Sequence, residues 1–146
     1  MSRRVVLDTS ALVSAALRPG SLPHQALLEA FRGWTICACA ETLDELERVL
    51  DRSKFDRYLP RRLRREFVTL IRRSVQLVEV QDVHLCEAVP HCRDPLDDKF
   101  LALALGAEAE VLISSDKDLR ILHPWNGIAI LSPARFLERF HSREPG

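Results

Sequence analysis

The chain carries no excess of charge of either sign: Lys plus Arg and Asp plus Glu each total 21. Affinity for a polyanion must therefore come from how charge is distributed, not from its total. No apolar run reaches the length of a membrane span. The N-terminal stretch starts with two arginines but meets an acid at Asp8, and it has neither an apolar signal core nor a cleavage site. A cytoplasmic location, with no membrane association, is expected. Cysteine is scarce. Cys37, Cys39, Cys86 and Cys92 do not make a disulfide framework in a chain of this size. Cys37 and Cys39 alternate in "TICACA", so in a strand both face the same way, into packing. The stretch "HLCEAVPHC" places His84, Cys86, His91 and Cys92 at irregular spacing that matches no standard zinc finger or ribbon. Free thiols and loop histidines are the preferred reading. Internal repeats, low-complexity tracts and linkers are also missing.

What is present is the composition of a folded protein, 47% hydrophobic and 29% charged over 146 residues, enough for one domain with a substantial core. Short apolar runs alternate with longer segments of helical period, as parallel βαβ units require. Strands are expected at 3–8, 34–39, 76–80, 110–114 and 128–131. Helices are expected at 10–17, 23–32, 40–51, 60–74, 95–106 and 133–140. Pro23 and Pro133 suit first helical turns; Gly33 and Gly106 suit helix stops. The result is a three-layer α/β/α domain with a mostly parallel central sheet.

In this frame "RRVVLDTSALV" poses a question, because a strand of core residues ends in Asp8, Thr9 and Ser10. A carboxylate at the end of a buried strand is costly to desolvate unless something positive meets it. In open α/β sheets ligands gather beyond the carboxyl ends of the strands, where strand order reverses. "VLISSDKDL" repeats the design, with hydroxyls at Ser114 and Ser115 followed by Asp116 and Asp118. "CRDPLDDKFLALALG" sets Asp94, Asp97 and Asp98 at a helix start. Asp98 shares the stripe of Leu101, Ala102 and Leu105 and so points toward the sheet, while Asp97 is rotated off it. In "AETLDELERVL" both Glu45 and Glu47 flank the apolar face formed by Leu43, Leu46, Val49 and Leu50, and periodicity does not choose between them. No basic partner for Asp8 is evident. Carboxylates converging at a strand-end cleft call for a hard divalent ion, Mg²⁺ or Mn²⁺, of the kind used in phosphoryl chemistry. The plainer reading is that these acids are helix caps and dipole partners.

Taken in order, "VVLDTS", "LDELERVL", "RDPLDDKFLALAL" and "VLISSDKDL" resemble the PIN domain. More narrowly they resemble bacterial PIN-family toxins of toxin–antitoxin systems, relatives of the VapC ribonucleases. The similarity runs from Val5 to Phe140 and includes the closing "SPARFLERF". It implies a single PIN domain with its core at 3–140 and a tail at 141–146, acting as a Mg²⁺- or Mn²⁺-dependent endoribonuclease. The implied acidic quartet is Asp8, Glu45, Asp98 and Asp116, which favours Glu45 over Glu47. Ser10, Ser114 and Asp118 match accessory positions, Ser10 standing where family members commonly carry Asn, and Asp94 fits the "R-D-P" pattern. The implied partners are an RNA substrate, an antitoxin protein and a second copy in a homodimer.

Competing readings are a phosphatase or phospho-acceptor domain, and a non-catalytic PIN-fold module that binds RNA or protein. The first would want a second acid two residues after Asp8, where Ser10 stands. The retained acids count against the second. Finally, "DRSKFDRYLPRRLRREFVTLIRR" concentrates arginines, of which Arg61, Arg62, Arg64 and Arg65 are candidate contacts for RNA phosphates or an acidic partner; a merely solvated helix face is the alternative.

Overall fold

Val5, Val6 and Leu7 are all buried, although neighbouring residues of a strand point to opposite faces. Only a central strand covered on both sides meets that requirement. The computed structural model, which describes residues 3–81, 83–84 and 97–140, supplies both covers. The strands are β1 (Arg3–Leu7), β2 (Trp34–Ala38), β3 (Gln76–Leu77), β4 (Val111–Ile113) and β5 (Ala129–Leu131). They form one sheet in the order β3-β2-β1-β4-β5, and every pairing is parallel. The helices among the described residues are α1 (Thr9–Leu17), α2 (Leu22–Gly33), α3 (Ala40–Leu50), α4 (Arg61–Ser74), α5 (Asp98–Gly106), α6 (Lys117–Arg120) and α7 (Pro133–Phe140).

Alternation along the strands sorts the core into two layers. Val5, Leu7, Ile36, Ala38, Val111, Ile113 and Leu131 pack with α1, α2, α3, α4 and Phe136 of α7. Val6, Cys37, Leu112 and Ile130 face the other way, toward α5, Leu119 and Trp125. Cys37 and Cys39 do share a face and are buried in this second layer as free thiols. The three-layer reading holds, and the sheet is parallel throughout.

The differences lie in short elements. The expected strand 76–80 is paired only over Gln76–Leu77, with one further bond from Val78 N to the Ala38 carbonyl. It is an edge strand with one neighbour, and short edges limit unwanted pairing. The turn after β4 closes into the four-residue helix α6, and Ser53–Phe55 form a 3-10 turn; neither has enough periodicity to show in sequence. Asp94, Cys86, His91, Cys92 and the first residues of the helix expected at 95–106 lie outside the described residues.

The strand order reverses between β1 and β4. The chain leaves β1 toward β2 on one side and reaches β4 and β5 on the other, which opens a crevice at the carboxyl ends of these two strands. Helix α5 contacts both of them.

Candidate active site

Asp8 follows the last residue of β1 and lies at that crevice, 2% exposed. Its backbone N–H continues the sheet by donating to the Ile113 carbonyl of β4 at 3.0 Å. Its side chain serves several partners. Oδ1 accepts from the Ala11 N–H at 2.8 Å, which caps α1, and from the Ser10 hydroxyl at 2.8 Å. Oδ2 accepts a short hydrogen bond from the hydroxyl of Ser114, the residue that follows β4. Every one of these donors is neutral. Burial pushes the Asp8 carboxyl up to about 6, and the negative charge of Asp116 pushes the same way; the bonds from Ser114, Ala11 and Ser10 pull against them without prevailing.

Ser114 links the two strand ends. Its fully buried hydroxyl oxygen also accepts the Asp116 N–H at 2.8 Å. Asp116 in turn caps α6, its Oδ1 accepting the Asp118 N–H at 2.8 Å. The capping role weighed for "SDKDL" is therefore real, and it engages one oxygen of the Asp116 carboxylate.

Glu45 enters from the second turn of α3. Its Oε1 accepts the Thr9 hydroxyl at 2.5 Å, and its Oε2 pairs with the Lys99 ammonium. Glu47, its rival on the periodicity argument, instead faces the surface and pairs with Arg72. Asp98 is buried at the start of α5, one residue before Lys99. The acids thus connect as a chain. Asp8 and Asp116 share Ser114; Thr9, next to Asp8, holds Glu45; and Lys99, next to Asp98, holds Glu45 from the other side. Among the described residues no three metal-ligating side chains converge tightly enough to enclose an ion.

Lys99 escaped the sequence reading, because a lysine in the first turn of a helix looks like ordinary solvated charge. Only the fold, which brings Lys99 of α5 to Glu45 of α3 although the two helices pack into opposite core layers, gives it a carboxylate. The donors, all oxygen and mostly carboxylate, nevertheless suit a hard divalent cation, and Asp8, buried among neutral donors, is the group such a cation would relieve most.

The arginines of α4 divide. Arg61 and Arg65 pair with Asp51 at 3.4 and 3.3 Å, and Arg62 pairs with Glu66 at 3.0 Å; all three are exposed. Arg64 corrects the expectation. It is 1% exposed, and its guanidinium donates to the carbonyls of Leu50, Arg52 and Leu59 and to the Asp56 carboxylate, so it cannot reach a partner outside the fold.

Among solved structures, PAE2754 from Pyrobaculum aerophilum aligns with TM-score 0.67 and 18% identity, covering 98% of this chain and 100% of its own. The toxin VapC20 of Mycobacterium tuberculosis aligns with TM-score 0.58 and 16% identity, covering 82% of this chain and 95% of its own. VapBC2 from Rickettsia felis, solved with a DNA fragment from its promoter, aligns with TM-score 0.60 and 14% identity, covering 88% and 98%. At such identities the likeness concerns the fold. No curated protein sequence matches the chain. The sequence profile of the PIN domain matches residues 4–118, from β1 through the Asp116 cap, and by that match the chain belongs to the PIN domain family.

Proposed function

We propose that this chain is a divalent-metal-dependent endoribonuclease and the toxin of a toxin–antitoxin pair. What supports the reading is Asp8, buried at the switch point among neutral donors, with Ser114 bonded to both Asp8 and the backbone of Asp116 and with Glu45 bonded to the neighbouring Thr9. Family membership supports a nuclease. The VapC20 structure is described as a sarcin-ricin loop cleaving toxin, and the VapBC2 structure as bound to a DNA fragment from its promoter.

Asp8, Asp98 and Asp116 would hold Mg²⁺ or Mn²⁺, with Glu45 binding directly or through water. When bound, such an ion lowers the pKa of a water and offsets charge on the phosphate and leaving oxygen. Hydrolysis then forms one bond from water oxygen to phosphorus and breaks the bond to a ribose oxygen. The chain's hydroxyls orient carboxylates: Thr9 donates to Glu45, and Ser10 and Ser114 donate to Asp8. None is placed to act as a covalent nucleophile. Asp118 supports Asp116 through its backbone N–H, and Asp94 belongs to the same proposed acidic segment. An antitoxin and a second copy are the proposed protein partners; exposed Tyr58, and Leu70 on α4, offer apolar contact to either.

Purified protein should cleave a mixed, partly single-stranded RNA pool with Mg²⁺ or Mn²⁺ and fail in EDTA. Asp98→Asn should lower the rate at least ~100-fold, the scale of losing an electrostatic element of a phosphoryl-transfer site. Full activity in EDTA, or in the variant, would sink the assignment. The binding-module reading has one observation in its favour, the Lys99 ammonium already seated on Glu45. It predicts RNA binding with no cleavage under any metal.

A further inference from the structure

The arginines most conspicuous in sequence are not the ones best placed for a substrate. Along α4 nearly every arginine already has an acid: Arg61 and Arg65 share Asp51, Arg62 has Glu66, Arg64 has Asp56, and Arg72 has Asp44 and Glu47. Asp51 also lies six residues beyond Glu45, about 9 Å along the axis of α3 and its cap, on the side away from the strand ends.

A second basic patch stands at the rim itself. A cavity of about 540 Å³ beyond the end of β5 is lined by Arg120, His123, Ser132, Arg135, Glu138 and Arg139, with Ile130 and Leu131 at its base. Three arginines face one glutamate there. Glu138 reaches Arg135 only at 3.9 Å, and Arg120 and Arg139 have no ion pair among the described residues. The cavity adjoins the acids through two hydrogen bonds. The Ser114 N–H donates to the Leu131 carbonyl at 2.9 Å, and the Arg120 N–H donates to the Asp116 carbonyl at 3.2 Å. One wall is therefore a single strand away from the Asp8–Ser114 contact, and another is the turn that Asp116 caps.

We propose that this cavity is an RNA backbone subsite in which Arg120, Arg135 and Arg139 hold the phosphates flanking the one at the acidic crevice. The inference rests on the nuclease reading for the location of the scissile phosphate. Its physical basis is separate. An acidic crevice repels a polyanion, so unpaired cations must be provided next to it, and phosphate contacts position a strand without reading its sequence. His123 keeps its Nδ1 occupied by the Ile130 N–H at 2.9 Å and forms part of the cavity wall.

The test is fluorescence anisotropy of a labelled single-stranded RNA in EDTA, across a salt series. It compares the wild type, R120S/R135S/R139S at the rim and R62S/R65S/R73S on α4, each first shown folded by circular dichroism. The rim variant should bind at least about tenfold more weakly at low salt, and its salt slope should fall by about 2, as three lost phosphate contacts on a single strand imply. The α4 variant should stay within about twofold, and R120K/R135K/R139K should recover most of the affinity because point charge suffices. A rim variant that binds as the wild type does, or a wild type that binds no RNA, overturns the proposal. A labelled poly-glutamate peptide run alongside shows whether the patch serves an acidic protein instead. Because no metal is present, the outcome is independent of cleavage, which the Asp98→Asn assay judges by itself.

Discussion

Asp8 is where the physical cost of the site is concentrated. Its carboxyl, at about 6, lies above the ordinary value of 3.8, so the folded protein holds this proton more tightly than the unfolded chain does. The associated stability is fully present below pH 3.8, is lost as pH rises toward 6, and is absent above it. The difference corresponds to roughly 3 kcal/mol. Asp8→Asn keeps the geometry: its amide can donate to Ser114, whose hydroxyl can turn toward the Asp116 carbonyl. In EDTA at pH 7.5 this variant should gain ~1–3 kcal/mol in urea denaturation, and the gain should vanish near pH 4. A variant equally destabilised at both pH values would show that the carboxylate is needed for packing rather than for charge. Lys99 eases the same repulsion from the other end of the acid chain, as a cation supplied by the protein and seated on Glu45.

At the scale of elements, α3 and α4 form an antiparallel pair whose connection, residues 51–60, has almost no regular structure beyond the turn Ser53–Phe55. Arg64 substitutes for it. Four acceptors along that connection and at the end of α3 converge on one buried guanidinium. Hydrogen bonds from a charged donor are worth more than neutral ones, and buried carbonyls left without donors carry their full desolvation cost. Arg64→Ala should therefore cost ~3 kcal/mol or more, whereas Arg65→Ala, whose partner Asp51 is accessible, should cost less than ~1 kcal/mol. Equal effects in thermal or urea denaturation would contradict this division. The rim patch contrasts with α4, because there α6 and α7 bring arginines together without bringing acids to match.

At the scale of the molecule, the proposed ligands come from the end of β1, from α3, from the start of α5 and from the turn after β4, elements that only folding can bring to one ion. A cation that needs all four elements binds the folded chain alone, and at a hundredfold over its Kd stabilises it by about 2.7 kcal/mol. Millimolar Mn²⁺ or Mg²⁺ should accordingly raise the melting temperature of the wild type at pH 7.5. Asp8→Asn should respond much less, and the wild-type response should fade below pH 6 as protons compete for Asp8. Among the described residues no helix is long and apolar enough to cross a membrane.

The periodicities in the sequence were sufficient for the layers. Alternating apolar residues in short runs, separated by segments of helical spacing, leave a parallel sheet with covered faces as the arrangement that buries both sets, and the structure has that sheet. Asp8 and Asp116 stood out for the same local reason, each being an acid just past a buried strand, Asp8 directly after β1 and Asp116 two serines after β4. Pairings between elements were not legible, because they depend on distances across the fold that no periodicity encodes. Sequence alone could not rank Glu45 over Glu47 without the family likeness, and only the fold, with α3 packed beside α1 and Lys99 reaching across from α5, gives Glu45 its partners Thr9 and Lys99. Nor could it tell that Arg64 is an internal strut among exposed neighbours, or that Arg120 and Arg135, fifteen positions apart, line one cavity. Local chemistry and spacing determined which residues could be buried or charged. Tertiary packing decided which of those charges were buried and which partners they met, as with Arg64, Glu45 and Lys99.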